Sequence, residues 1–462
     1  MFSAVATQIR KYPDLAFDAL DTTALNDRDA AFAHALYDKT IRRWITLRQI
    51  VRSQLKHEWD DVHPAARAAL LCGCAQLLFM DTVPAHAAVN ESVNWADAAV
   101  GGRTGALVNA ILRGVSRLLE IPEPPPEVDP DAPLGIEPEP ALKPAPLSNR
   151  HVIQAWADRL DALPLSDGAA LQLADEIWPK DPMERLAIAT SLPLPLLRSW
   201  AKHMPMHEVR RLAMHCLVEP PVILNTTHAQ SPLPNTLTPH EAPGHHVMTN
   251  PSGGALSALL QQRRDIWVQD PASSLAIESV VDLKPQLIID ACAGLGTKTR
   301  QLAATFPEAR IIATDIDRVR HKGLVKTFKN HERVDVVPYP KLTDYAAQAD
   351  LILLDAPCSN TGVLARRLEA RYRWSEARAD ELISMQRQIV ADAVRLLKPG
   401  KRSGGILYST CSLDPNENEE IGAWARKWHG FDTAREHRRS PAALPGDPAT
   451  RYTDGSYAIL LV

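Results

Sequence analysis

The 462-residue sequence contains no stretch approaching the roughly 20 uncharged apolar residues that cross a bilayer. Its first residues, MFSAVATQIRKYPDLAFDAL, lack the apolar run of a secretory leader. A soluble, cytoplasmic protein with no membrane partner is the expectation. Cysteines are few: Cys72, Cys74, Cys216, Cys292, Cys358 and Cys411 form no CxxC pair, so reduced thiols are expected, with no metal. A large excess of charge is also missing. The net charge is −4, and residues 121–150 hold six acids against Lys143 and Arg150, which leaves the remainder neutral. A neutral body can still carry a basic face, so charge neither excludes nor indicates a nucleic-acid partner.

That acidic stretch also holds 10 of the 37 prolines. Proline removes donors and stiffens the backbone toward polyproline II, which predicts an extended linker over 121–150. Upstream, residues 1–120 repeat apolar side chains at three- and four-residue spacing, as in AAFAHALYDKTIRRWITLRQIVRSQL and PAARAALLCGCAQLLFM, and predict an all-α bundle. Arg48, Arg52 and Lys56 fall at i, i+4, i+8, with Arg42 and Arg43 nearby, a stripe suited either to RNA phosphates or to plain solvation. Cys72 and Cys74 sit in an apolar helix and are expected in the core. Residues 151–265 read as a small connecting subdomain, with the helical LPLPLLRSWAKHMPMHEVRRLAMHCL followed by a possible strand in PPVILNTT.

From residue 266 to 462 short β-rich runs alternate with helices: LIIDACAG, RIIATDID, VDVVPY, DLILLDAP, GGILYSTCS and SYAILLV. The alternation predicts a Rossmann-like, doubly wound α/β domain, so the whole is a two-class chain, helical first and α/β second. Ligands of such sheets sit at the carboxyl ends of the strands. The first run opens into ACAGLGTKT, a glycine turn before a helix, and Asp315 follows the second run 19 residues after Gly296, where such folds hold a ribose. A nucleoside-containing cofactor is expected.

Two further strand ends carry thiols, Asp355-Ala-Pro-Cys358 and Ser409-Thr-Cys411-Ser412. Hydride transfer has no evident need for them, but methylation of a pyrimidine ring carbon does. Carbon 5 of cytosine is a poor nucleophile until a thiolate adds to carbon 6, so a cysteine is required for covalent catalysis. A carboxyl group beside ring nitrogen 3 would stabilise the adduct, and a second thiol would assist its breakdown. The bland reading is that each cysteine is a small buried hydrophobe.

In DACAGLGTKT, DAPCSNTGVL and YSTCSLDPNENE, with WVQDPASSLA and DGSYAILL, residues 266–462 resemble the RNA (cytosine-5) methyltransferases of the Sun or Fmu family. The helical region, with VPAHAAVNESVNWA and ALVNAILRG, is similar to the NusB-like RNA-binding domain of the RsmB-type branch, which modifies small-subunit 16S ribosomal RNA. The resemblance implies that Cys411 is the nucleophile, Cys358 the thiol that assists release and Asp355 the acid that orients the base. It places S-adenosylmethionine along Cys292, Ala293, Gly294, Leu295, Gly296, Thr297 and Lys298, with Asp315 on its ribose and Asp355 bordering it. Small-subunit ribosomal RNA is the implied partner, and the chain is expected to act as a monomer. Three stretches differ from the family pattern. Gly294-Leu-Gly-Thr-Lys298 replaces Ala-Pro-Gly-Gly-Lys; the acid after the third strand is unrecognisable, Asp344 being out of register; and RRLEARYRW replaces a His-Pro-Asp stretch. In that last segment Arg366, Arg367, Arg371, Arg373 and Trp374 offer phosphate contacts and a stacking surface. The alternative function is an RNA-binding assembly factor whose methyltransferase domain is impaired. An exocyclic-amine methyltransferase is disfavoured, because the fourth strand ends in Asp-Ala-Pro-Cys rather than the Asn/Asp-Pro-Pro-aromatic motif that reaction needs.

Overall fold

The structure, a computed structural model, describes residues 1–11, 20–120, 150–151, 159–249, 253–400 and 405–462. The acidic linker predicted over 121–150 thus lies, Arg150 excepted, outside the described residues. Two compact units emerge, one of Met1–Arg198 with Met206–Leu217, the other of Ser199–Pro205 with Val218–Val462. Among the described residues no helix is long and apolar enough to cross a membrane.

In the first unit residues 1–120 are helical, as their periodicity predicts, over Phe2–Ile9, Asp27–Arg42, Trp44–Gln54, Pro64–Phe79, Ala85–Val100 and Gly102–Leu118, and the unit adds a three-stranded antiparallel sheet of Arg150–His151, Ala170–Gln172 and Ala162–Pro164. Pro64–Phe79 is apolar on nearly every side and is buried along most of its length, which makes it the hub of the bundle. A Cβ on Gly73 would stand 2.5 Å from Ser92 Oγ and 2.6 Å from Leu112 Cδ1, so glycine lets two neighbouring helices close on the hub. Cys72 and Cys74 are core residues, and burial pushes the Cys72 thiol up to about 12.

The basic stripe does not form as the spacing suggests. Arg42 is buried against Asp38 at 3.2 Å, and Arg43 is buried with its guanidinium on Ala189 O at 3.2 Å and 4.9 Å from the centre of the Phe79 ring. Leu55 turns extended after Gln54, so Lys56 leaves the helix that carries Arg48 and Arg52. Residues 151–265, read as one connecting subdomain, are divided. The helices Pro182–Thr190 and Met206–His215 belong to the first unit, where Thr46 Oγ1 donates to Ile188 O at 2.5 Å and Ile45 N donates to Ser191 Oγ at 2.9 Å. A four-stranded antiparallel sheet of Leu237–Pro239, His245–Met248, Ile223–Asn225 and Trp267–Val268 belongs to the second.

The second unit is built on seven strands: β1 Leu287–Asp290, β2 Arg310–Ala313, β3 Val334–Val336, β4 Leu351–Asp355, β5 Gly405–Thr410, β6 Thr433–Arg439 and β7 Ser456–Leu461. Their order is β3-β2-β1-β4-β5-β7-β6, parallel except that β7 is antiparallel to both neighbours. Side chains alternate between two cores. Ile288, Ile311, Leu351, Leu353 and Leu407 pack beneath the helices Pro271–Glu278, Thr297–Thr305 and Arg318–Thr327. Ile289, Ile312, Ile352, Leu354 and Ile406 pack beneath Glu376–Val394 and Glu419–His429. The expected doubly wound sheet is present, and its strand order reverses between β1 and β4, the place where such folds open a crevice. β6 was not legible: TAREHRR has no apolar face and is ordered as an edge strand paired to β7.

Leu353 is fully buried at the centre of this sheet. Leu353→Ala is expected to cost about 2–5 kcal/mol in urea unfolding; an unchanged midpoint would contradict this packing.

Candidate active site

β4 and β5 run side by side with Asp355 opposite Ser409, so Cys358 and Cys411 leave neighbouring strand ends. Their sulfurs lie 3.4 Å apart. The Cys411 thiol donates to Asn360 Oδ1 at 3.3 Å, and Asn360 Nδ2 donates to Cys358 O at 2.8 Å from a left-handed backbone with φ of 60°. The hydrogen bond with Cys411 and burial together push the Cys358 thiol well above its ordinary range, so it keeps its proton at neutral pH.

Glu417 clamps the two loops. Fully buried, its carboxylate accepts from Ser359 N at 2.9 Å, Ser359 Oγ at 2.5 Å, Gln386 Nε2 at 3.1 Å and Ser412 Oγ. Burial holds its pKa above the usual carboxylate value, against the pull of the two serine bonds. Leu413 N donates to Thr361 Oγ1 at 2.9 Å, and Gly362 N donates to Cys411 O at 2.8 Å. A Cβ on Gly362 would meet Cys411 O at 2.7 Å, so this crossing requires glycine.

On the other side of the crevice, Asp355 pairs with Lys298 Nζ at 2.8 Å and accepts from Ser409 Oγ at 3.0 Å. Burial disfavours the Lys298 ammonium, but the adjacent Asp355 outweighs it and keeps the pKa above the ordinary lysine value. Lys298, which the sequence grouped with the cofactor stretch, therefore seats its charge on the predicted base-orienting acid. Asp290 at the end of β1 is fully buried. Thr299 Oγ1 donates to its Oδ2 at 2.7 Å, while Oδ1 makes no well-formed hydrogen bond among the described residues. Burial, with a smaller contribution from the Asp355 charge, pushes the Asp290 carboxyl up to about 7. The loop between them turns through Gly294 and Gly296, with φ of 58° and 93°. Asp315 accepts from Gly294 N at 2.9 Å and Asp317 N at 2.8 Å. Burial drives the Cys292 thiol far above its ordinary value, so it stays neutral.

The segment offered for RNA contact serves the fold in part. Arg371 is fully buried and donates to Leu364 O at 2.9 Å, so it is not available to a phosphate. Arg366 lies between Asp454 at 2.8 Å and Asp270 at 3.3 Å, beside the Tyr452 ring. Arg367 is exposed and Trp374 half-buried. After β3 the half-buried Tyr339 stands near the strand end, while Asp344 is exposed and paired with Lys341. Sequence reasoning missed Glu417, Asn360 and Ser412. The only signal was the string of acids in SLDPNENEE, which does not say which one turns inward. Among the described residues no group of three or more His, Cys, Asp or Glu is placed to hold a metal ion.

A sheet of this order, with a glycine loop after β1 and an acid after β2, defines an S-adenosylmethionine-dependent methyltransferase. A family model described as 16S rRNA methyltransferase RsmB/F matches residues 280–430, and one described as the NusB family matches residues 3–117. The Ribosomal RNA small subunit methyltransferase B of Vibrio cholerae serotype O1 is 30% identical over 410 residues, covering 85% of this chain and 80% of that protein. The protein of the same name from Klebsiella pneumoniae strain 342 is 25% identical, covering 95% and 91%. The crystal structure of PH0851 shares the fold, with a TM-score of 0.68 at 19% identity over 100% of this chain and 98% of that one. The chain belongs to the RsmB/F methyltransferase family, with a NusB-type helical unit at its N-terminus.

The residues present fit the cofactor. Asp290 keeps a buried oxygen for the cationic amino-acid end. Asp315, with each oxygen held by one backbone amide, retains lone pairs for two ribose hydroxyls. Leu295 and Ile316, 64% and 76% exposed, offer apolar cover to a purine.

Because the folded Asp290 carboxyl is raised above its unfolded value, the stability it contributes is present at low pH and lost as pH rises through about 7. The stability of wild type relative to Asp290→Asn is therefore expected to fall, on the order of 2 kcal/mol, between about pH 5 and pH 8 in urea unfolding. Parallel pH profiles of the two proteins would contradict the assignment.

Proposed function

We propose that this protein methylates carbon 5 of an unpaired or flipped-out cytidine in small-subunit ribosomal RNA through a covalent bond to Cys411. The observation that carries the reading is the pair of thiols 3.4 Å apart at adjacent strand ends, beside Asp355. The names of the relatives support the choice of RNA, and the NusB-type unit supplies a second RNA-binding part. Both thiols and Asp355 lie in one chain, so a monomer suffices, and a ribosomal substrate implies a cytoplasmic site of action.

Each residue has a definite task. Cys411 as thiolate adds to carbon 6; the carbon 5–carbon 6 π pair then moves to give an enamine nucleophilic at carbon 5. Asp355, fixed by Lys298 and Ser409, accepts from the exocyclic amine on carbon 4 and carries to ring nitrogen 3 the proton that Cys411 gives up, which neutralises the charge developing in the ring and returns to Asp355 when the adduct breaks down. S-adenosylmethionine supplies an electrophilic methyl group, leaving as a neutral thioether. Cys358, after its own proton has passed to bulk water, stands where it can take the carbon 5 proton; the electrons restore the ring double bond and expel Cys411 as thiolate. The target must leave its stack, since neither ring carbon is reachable inside a helix.

The test is methyl transfer from labelled S-adenosylmethionine to unmodified small-subunit ribosomal RNA, read as 5-methylcytidine by nucleoside mass spectrometry. Cys411→Ala is expected to lose turnover by about a thousand-fold or more. Cys358→Ala should accumulate a denaturant-stable protein–RNA adduct. Full turnover in the Cys411 variant would overturn the assignment of roles.

A further inference from the structure

The helix Arg318–Thr327 carries a charge pattern that its fold does not use. From residue 318 to 331 the sequence holds five lysines and arginines and no acid. Arg318, Lys322 and Lys326 recur at i, i+4 and i+8, which places them on one side of the helix, and Lys329 follows in the turn just beyond its last residue, Thr327. All four are exposed, and none forms an ion pair among the described residues. The helix begins at Arg318 with Arg320 in its first turn, where the dipole disfavours cations. The N-cap Asp317 is occupied by Val319 N at 2.9 Å and Arg320 N at 2.8 Å. Val319 and Val325 are also exposed, 78% and 44%, among these charges. The opposite side is anchored: Leu324 and Phe328 are buried, and a Cβ on Gly296 would stand 2.4 Å from Phe328 Cε2. A Cβ on Gly323 would meet Leu295 at 2.8 Å, so the helix rests directly on the cofactor loop.

Local features that work against the fold at a rigid, well-packed element are expected where a partner uses them. We infer that this helix face binds the phosphate backbone of the substrate RNA along the cofactor edge of the catalytic sheet. The inference rests on the RNA substrate proposed above. The occupant follows from charge complementarity: three unpaired cations at helical spacing and a fourth in the turn that follows match successive phosphates, and the exposed valines give apolar contact to sugars. Arg320, on the side nearer the cofactor loop, is outside the stripe.

The experiment is a titration of the full-length protein with a small-subunit ribosomal RNA transcript at several salt concentrations. It compares wild type with the quadruple variant Arg318→Ala, Lys322→Ala, Lys326→Ala, Lys329→Ala and with the charge-preserving variant Lys322→Arg, Lys326→Arg, Lys329→Arg. Each lost phosphate contact removes roughly 0.7 from the slope of log affinity against log salt, so the alanine variant should lose about 3 from the slope. Its KM for RNA should rise at least about tenfold at constant kcat, with S-adenosylmethionine affinity unchanged as proof of a folded site, and the arginine variant should behave as wild type. An unchanged slope and KM in the alanine variant overturns the inference. A wild-type protein that binds the transcript but transfers no methyl group overturns the proposed activity, and the slopes still decide the helix.

Discussion

The buried Glu417 carboxylate is the contact on which the geometry of the catalytic crevice depends. It receives hydrogen bonds from Ser359 beside one cysteine, from Ser412 beside the other, and from Gln386 on the helix packed over both strands. Its own carbonyl accepts from the buried Tyr408 hydroxyl at 2.7 Å. Parallel strands alone fix where Asp355 and Thr410 end, but the loops beyond them are free of the ladder. A single acid satisfied from both loops joins two independent chain segments into one ledge, on which the sulfurs lie 3.4 Å apart. Each bond to such a group contributes about 1.5–3 kcal/mol, which offsets the cost of removing the carboxylate from water.

The same economy of buried charge governs the facing wall. Lys298 pairs with Asp355 and also feels the charge of Asp290, an ammonium held above its ordinary pKa although burial opposes it. Lys298 therefore remains cationic and gives Asp355 a fixed partner, while Asp290, deeper and without that ion pair, is the carboxyl whose ionisation burial suppresses. Two acids at neighbouring strand ends thus acquire different characters from their surroundings alone. The glycine loop differs from the family pattern at its first, second and fourth positions, yet it preserves what its task needs: two left-handed turns, a free approach at Gly294, and a terminal lysine that reaches across the crevice.

Much of this was legible in the sequence because period and punctuation agree. LILL and ILY, buried on both faces, read as interior strands, and the thiols, Asp355 and the glycine loop fall where each strand stops. What could not be read depends on contacts distant in sequence. Glu417 looks like one acid among several, and only its closure on Ser359, 58 residues away, distinguishes it. Arg371 looks like its neighbours Arg367 and Arg373, yet a short helix turns it inward onto Leu364 O. Arg42 and Arg43 match a basic stripe by spacing, but Asp38 and Ala189 O claim them. The β6 strand has no apolar period because it is ordered by pairing with β7 and by polar anchors distant in sequence, such as Arg435 on Asp282 and Ser279 O. The stretch 151–265 is shared between the units: strands Ala162–Pro164 and Ala170–Gln172 join the first, and the four-stranded sheet with helix Gly253–Gln262 joins the second.

The central claim is that Cys411, rather than Cys358, forms the bond to the base, and it can be read directly by trapping. Small-subunit ribosomal RNA made with 5-fluorocytidine gives an adduct that cannot release a proton from carbon 5. Incubation with S-adenosylmethionine, nuclease and protease digestion, and peptide mass spectrometry then identify the modified cysteine. The account predicts a methylated fluoropyrimidine nucleotide on the peptide containing Cys411 and none on that containing Cys358. A stable adduct on Cys358, or none on either cysteine with an active enzyme, would contradict it.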